Sequence, residues 1–260
     1  MVETKLLPEL QLKGEGFVQP AELPTNLRIY GHHGCPYVER VKLTLYLKKI
    51  PFQFVAIDLP SRPPWYMNLP SAGRIPVLEL PKRSAYLYES LSVAQYIDET
   101  EDGAIKLMPQ GKENALLRAK IRAVMGRADD MTTNFYKAVK SFGEDKDGLE
   151  LLRKSYVSFD QTLAENVRGK ANPFFIDQEK PTFADVALFP HTRRLMIFEG
   201  TELCDGIFKT VNLKSLPNLM KWYNAMIGIK EVAENTVKQE LFMSFLKRYK
   251  ETKQFLFTLP

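Results

Sequence analysis

The hydrophobic and polar positions change rhythm several times along the chain. From Leu27 a short β-like run, LRIYG, gives way to Val38, Val41 and Leu45 at three-to-four spacing, the mark of a helix face. Lys48 and Lys49 close that helix, where the dipole favours cations. FQFVAIDL then reads as a second strand with Phe52, Phe54 and Ala56 on one face. After the proline-rich SRPPWYMNLPSAG come IPVLEL and AYLYES, two short strands joined by a charged turn at Lys82 and Arg83, and then the helical SLSVAQYIDET. Beyond Met108 strand signals nearly vanish. KENALLRAKIRAVMGRADDM, DGLELLRKSYVSFDQTLAENV, TFADVALFPHTRRLMIF, SLPNLMKWYNAMI and VAENTVKQELFMSFLKRY all have helical periodicity, separated by Gly, Pro or Asn.

A strand-helix-strand unit followed by a hairpin and a closing helix makes a four-stranded mixed sheet covered by helices, the thioredoxin arrangement. The expected fold class is therefore an α/β thioredoxin-like N-terminal domain, residues 25–108, plus an all-α C-terminal domain, residues 109–260. Residues 1–24, with Pro8, Pro20 and Pro24 and little periodicity, read as an extension draped over a domain.

Composition narrows the function. At 260 residues and 45% hydrophobic, the chain can bury a core in one large or two modest domains. Its 2 cysteines, Cys35 and Cys204, are too few for a disulfide scaffold and too separated for a structural zinc site. The expectation is a reduced, cytoplasmic, soluble protein without a metal. No leader pattern opens the chain, and no run reaches the roughly 18 apolar residues of a membrane span. The net charge of +5 is scattered among acidic residues and forms no nucleic-acid face; it favours anionic small molecules by steering.

The candidate chemistry centres on Cys35, placed before Pro36 where the first helix begins. Proline at the first helical position costs nothing, and a thiol at the N-cap faces backbone N–H groups at the positive end of the dipole. Such placement can lower a thiol from about 8.5 to roughly 3.5–7.5, which predicts a nucleophilic thiolate; the alternative is an inert buried cysteine. Val38 stands three residues on, so Cys35 has no dithiol partner within its helix and turnover needs an external thiol. Ile75-Pro76 opens a short strand. In a thioredoxin-like sheet such a peptide bond is typically cis, leaving the preceding backbone free to pair with an extended peptide; an ordinary edge-strand proline is the other reading. Glu89 and Ser90 open a helix, where Ser90 can cap or hold a carboxylate and Glu89 can accept from an amino group. Thr182 and Asp185 form a Thr-x-x-Asp capping box, a folding signal. The adjacent His32 and His33 should point apart and read as loop residues, with His33 able to favour the thiolate if it approaches the sulfur.

Together, RIYGHHGCPYVERV, IDLPSRPPWYMNLPSAGRIPVLEL, LYESLSVAQYIDE, PFFIDQEKPTFADVALFP and LPNLMKWYNAM resemble, in order, the cytosolic glutathione transferases, and among them the cysteine-bearing omega class, then plant lambda. The resemblance runs from about Leu27 to Tyr249. It implies glutathione as co-substrate and Cys35 as the residue that forms a mixed disulfide with it. It also implies that Tyr37 packs by the thiol, Arg62 lies near a carboxylate end, and Ile75, with Pro76, pairs with the cysteinyl backbone. Glu89 and Ser90 would hold the γ-glutamyl end. Omega proteins usually carry Lys where Arg62 stands, and the two side chains differ in geometry. By position, His191, Arg194, Phe242 and Tyr249 would line the second-substrate pocket, with ordinary helix packing as the alternative for all four.

The activity implied is glutathione-dependent thiol transfer and dehydroascorbate reduction, with weak conjugation, in a homodimer. Two other readings use the same fold: a ligandin holding hydrophobic anions, and a chloride-intracellular-channel-like protein. Glu39, Arg40, Lys42, Lys48 and Lys49 make the helix after Cys35 a poor candidate for membrane insertion.

Overall fold

The computed structural model describes residues 7–12, 17–166, 173–176, 178–255 and 257–259, so part of the N-terminal extension and the end of the predicted LAENV helix lie outside the described residues. The chain divides into two compact units, Met1–Ala104 with Glu240–Pro260, and Ile105–Gln239. In chain order the first unit runs β1 (Leu10–Leu12), β2 (Leu27–Gly31), α1 (Pro36–Lys48), β3 (Phe52–Ile57), α2 (Pro64–Met67), β4 (Val77–Glu79), β5 (Tyr86–Tyr88) and α3 (Ser90–Thr100). The second holds α4 (Ala115–Lys140), α5 (Lys146–Asn166), α6 (Phe183–Met196), α7 (Asp205–Val211), α8 (Pro217–Ile227) and α9 (Lys230–Asn235). The last helix, α10 (Gln239–Thr252), folds with the first unit and not, as its helical texture suggested, with the helical domain.

Among the described residues the sheet has 5 strands in the order β1-β3-β2-β4-β5, not the four expected. The extra strand comes from the extension, where Leu10–Leu12 pairs parallel with Val55–Ile57 and covers the outer edge of β3. β2 and β3 are parallel, whereas β2–β4 and β4–β5 are antiparallel. Every residue of β2 and β3 is buried, so β3 does not alternate between a core face and a wet face; both sides of the sheet are covered.

Buried ion pairs tie this unit together. Lys48 does not simply complement the helix dipole: its ammonium lies 3.0 Å from Asp98 of α3, both side chains 0% exposed. In β2, Arg28 donates to Glu79 of β4 at 2.8 Å, to Gln53 of β3 at 2.7 Å and to the carbonyl of Ala21 at 2.6 Å, while the Tyr30 hydroxyl donates to the other Glu79 oxygen at 2.7 Å. Removing one member of such a buried pair costs about 3–5 kcal/mol, because the other charge is left unpaired.

In the second unit α4 buries Ile121, Val124, Met125, Ala128, Met131, Phe135 and Ala138, at helical spacing, and packs against α5 and α6. The Thr182–Asp185 capping box is present at α6. Asp185 does more than cap: its fully buried carboxylate also accepts from the Phe175 N–H at 3.0 Å and the Trp222 indole N–H at 2.8 Å. Burial pushes it up to about 6, and the four donors around it oppose that rise. The predicted helix VAENTVKQELFMSFLKRY is two, since Thr236 is extended and separates α9 from α10. The short α2 and α7 are additions that periodicity over so few residues could not reveal. No helix among the described residues is long and apolar enough to cross a membrane.

Candidate active site

Cys35 is the N-cap of α1, in extended conformation with φ −82 and ψ 123, and Pro36 follows at the first helical position. Its side chain makes no capping hydrogen bond to the first turn, and it is only 4% exposed. The loop that delivers it is built on two glycines. A Cβ at Gly31, the last residue of β2, would lie 2.7 Å from a Val38 methyl, so only glycine lets α1 pack this closely on the strand end. A Cβ at Gly34 would lie 2.7 Å from the Phe257 ring.

The sheet register gathers the other candidates. Tyr30 of β2 is opposite Val77 of β4, and Val77 is opposite Tyr88 of β5. The segments leaving this row are therefore neighbours: His32–Cys35 after β2, Ile75–Pro76 before β4, and Glu89–Ser90 after β5. The Ile75–Pro76 bond is cis, as expected. The Tyr66 hydroxyl donates to the Arg74 carbonyl at 2.8 Å and fixes the stretch before it. Tyr66 is fully buried, and burial above all holds its phenol protonated; Cys35 adds to that effect and Arg62 opposes it, which places both in its electrostatic neighbourhood.

Glu89, not Ser90, is the N-cap of α3, and it makes no side-chain cap; Ser90 is the first helical residue and is buried. Glu89 has φ 67, a left-handed conformation costly for a residue with a Cβ, and its carboxylate lies 3.3 Å from Arg74 at the surface. Arg62 is half-buried, with its Nε lacking a hydrogen-bond partner among the described residues. Tyr37 is half-buried with the Arg40 guanidinium 5.3 Å over its ring.

The two histidines point apart as anticipated, but neither is a bare loop residue. His33 Nε2 meets the Glu9 carboxylate at 3.0 Å, its Nδ1 meets the Lys42 ammonium at 3.0 Å, and its ring lies 4.5 Å from Phe54. Burial pushes Lys42 down to about 8. His32 turns instead to Phe257 and Thr258. Neither set of partners could be read from the sequence, because Glu9 and Thr258 lie far from the histidines along the chain.

The second-substrate candidates separate. His191 and Arg194 on α6 are 0% exposed: the imidazole packs 5.3 Å from Phe135, and Arg194 donates to the Pro190 carbonyl one turn back at 2.7 Å. Both side chains lie within the packing of their helical unit. Phe242 and Tyr249 lie on α10 in an aromatic cluster, Phe242 packing on Phe245 at 5.7 Å and Tyr249 on Phe255 at 4.9 Å. Cys204 is the N-cap of α7, fully buried, with its thiol pushed up to about 12 by burial. Among the described residues no group of three His, Cys, Asp or Glu side chains is placed to hold a metal ion.

A thioredoxin-like sheet with a cis-proline before its third core strand, a cysteine opening the first helix and an all-helical second unit is the architecture of one class of protein. Residues 29–104 match the glutathione S-transferase N-terminal domain and residues 128–230 the glutathione S-transferase C-terminal domain, and the chain belongs to this family. Its relatives include the probable glutathione transferase omega-2 of Caenorhabditis briggsae, 24% identical over 242 residues covering 90% of each chain. The glutathione S-transferase omega-2 of Homo sapiens is 27% identical over 237 residues, 91% of each chain. Among solved structures, the trimeric glutathione transferase TDR1 of Leishmania superposes with a TM-score of 0.74 at 22% identity, covering 86% of this chain and 48% of that one.

Proposed function

We propose that this protein is an omega-type, glutathione-dependent thiol transferase and dehydroascorbate reductase that works through a mixed disulfide between Cys35 and glutathione. The observation that carries the reading is the position of Cys35: a single cysteine at the start of a 13-residue helix, in a row with a cis-proline edge and the buried Ser90. The backbone of Ile75 offers the cysteinyl part of glutathione a strand-like partner, Glu89 and Ser90 take the γ-glutamyl end, Arg62 takes a carboxylate, and Pro76 and Tyr37 shape the floor. By position His191, Arg194, Phe242 and Tyr249 are the side chains for the acceptor, and of these only Tyr249 is not buried.

The helix N-terminus stabilises the Cys35 thiolate, which attacks the glutathione sulfur of a mixed disulfide. An S–S bond forms between Cys35 and glutathione, and the acceptor leaves as its thiolate. A second glutathione thiolate then attacks the glutathione sulfur, forming oxidised glutathione and releasing Cys35 as a thiolate. With dehydroascorbate as acceptor, the two electrons come from the same pair of glutathiones. Cys204 takes no part: burial disfavours its thiolate. Conjugation to ordinary electrophiles is weak, because the cysteine captures glutathione as a disulfide. The same reading carries a homodimer and a cytoplasmic setting, where thiols stay reduced.

The test is intact mass after incubation with oxidised glutathione, followed by peptide mapping. One glutathione adduct, on Cys35, is expected; no adduct there, or equal modification of Cys204, overturns the mechanism. Tight binding of a hydrophobic anion with no measurable thiol transfer points instead to a ligandin.

A further inference from the structure

His32 sits at the centre of four contacts that the proposed chemistry does not use. Its backbone carbonyl accepts from the Cys35 N–H at 3.0 Å, and its ring Nδ1 accepts from the Gly34 N–H at 3.0 Å. Because a backbone N–H can only donate, Nδ1 carries no proton, and the proton of the neutral ring is on Nε2. Nε2 therefore donates to the Thr258 carbonyl, 2.9 Å away. The ring also stacks on Phe257, centroids 5.1 Å apart and planes 18° apart. One side chain thus joins the loop in front of the cysteine to a segment more than two hundred residues later.

That segment is held at both ends. The Leu59 N–H donates to the Phe257 carbonyl at 3.0 Å, and the Leu259 N–H donates to Asp58 Oδ1 at 2.7 Å. Phe257 stacks on Phe245 of α10 at 4.2 Å, and Phe257 and Leu259 are buried. The space above Gly34 is filled by the Phe257 ring, so glycine at position 34 is what allows the strap to lie there. The charged or titratable groups facing the His32 ring are His33 and Asp58.

We propose that His32 is a positioning residue that fastens the strap Phe257–Leu259 across the Gly34–Cys35 loop, so that the placement of the thiol at the helix N-terminus depends on the strap. The consequence for reactivity rests on Cys35 being the nucleophile, as proposed above; the fastening itself does not.

Two measurements on the full chain keep these apart. Hydrogen exchange, read on peptides spanning residues 30–38 and 254–260, follows the fastening. In His32→Ala both segments exchange faster, by about fivefold for each neutral hydrogen bond lost. In His32→Asn the side-chain oxygen still accepts from the Gly34 N–H as in an Asx turn, so the loop stays protected while the strap opens. Phe257→Ala, which leaves the imidazole and every loop residue in place, loosens the loop from the strap side. If Phe257→Ala leaves exchange of residues 30–38 unchanged, the proposal is overturned.

The second measurement is the pH profile of Cys35 alkylation by iodoacetamide. Loss of positioning moves the profile of His32→Ala and Phe257→Ala to higher pH and lowers the rate at pH 7 by about tenfold, with His32→Asn closer to wild type. A change in the limiting alkaline rate alone means that the strap merely covers the sulfur, and overturns the positioning role. A wild-type Cys35 that alkylates like a free thiol overturns the thiol-transfer reading, while the exchange data still decide the fastening.

Discussion

Cys35 and Cys204 occupy the same formal place: each is a buried, free cysteine at the N-cap of a helix. Their surroundings differ. Cys204 opens a helix of 7 residues with its backbone at φ −132 and ψ 1, and burial pushes its thiol up to about 12. Cys35 opens a helix of 13 residues, preceded by a glycine and followed by a proline, beside the segments that leave the ends of three paired strands. A helix N-terminus favours a thiolate by a modest amount, whereas burial without polar partners disfavours it by several times as much. The N-cap position alone therefore does not make a reactive cysteine; what surrounds the sulfur decides.

The contrast breaks most directly in activity. Cys35→Ser is expected to lower reduction of a glutathione mixed disulfide by at least about a hundredfold, and Cys204→Ser to stay within about twofold of wild type. Equal losses in both would dissolve the distinction.

Next in size, Cys204 should report the opening of its own unit. Asp185→Asn sets an amide donor against groups that already donate to that carboxylate: the Thr182 N–H and hydroxyl, the Phe175 N–H and the Trp222 indole. The cost is about 3 kcal/mol, so alkylation of Cys204 in mild urea accelerates about a hundredfold, while Cys35 labelling in native buffer does not change. Thr182→Ala removes only the hydroxyl of the box, costs about 1–2 kcal/mol and speeds Cys204 labelling about tenfold. Parallel acceleration at Cys35 would mean that both sulfurs report one opening.

The smallest effect is a divergence with pH. Burial lowers His32 and His33 below their unfolded value of 6.5, so the stability these rings contribute is complete above 6.5 and is lost as pH falls below it. Asp185 is raised from 3.8 to about 6, so its unit binds the extra proton when folded and gains about 1 kcal/mol between pH 7 and pH 5. Hydrogen exchange corrected for its chemical rate should slow around Trp222 and quicken around His32–Cys35 over that interval. The same direction in both segments would contradict the assignment.

Local patterns announced much of this. The strand-helix-strand opening, the cis-proline and the Thr182–Asp185 box depend on neighbours a few residues apart, and each appeared where the sequence placed it. What remained hidden depends on distant partners. Leu10–Leu12 has no periodicity of its own and becomes a strand only because β3 presents an open edge. Arg28 gives no sign that its partner is Glu79, 51 residues on. The helical texture of α10 is the same whichever unit it packs in. At the candidate site, the place of Cys35 at the N-cap of α1 was legible from the Cys-Pro pair, but the contacts of His32 were not, since they depend on Thr258.

Asp58 has a mechanical meaning. Its N–H donates to the Leu12 carbonyl of β1, and its carboxylate accepts from Leu259, so stretches from opposite ends of the sequence are knotted at one residue just past β3. A pulling force applied through either end, from a bead, a surface or a fused partner, converges on that knot. Through Thr258 and the His32 ring it then reaches the Gly34 N–H, one residue before Cys35, so tension on the strap is carried into the loop that holds this sulfur.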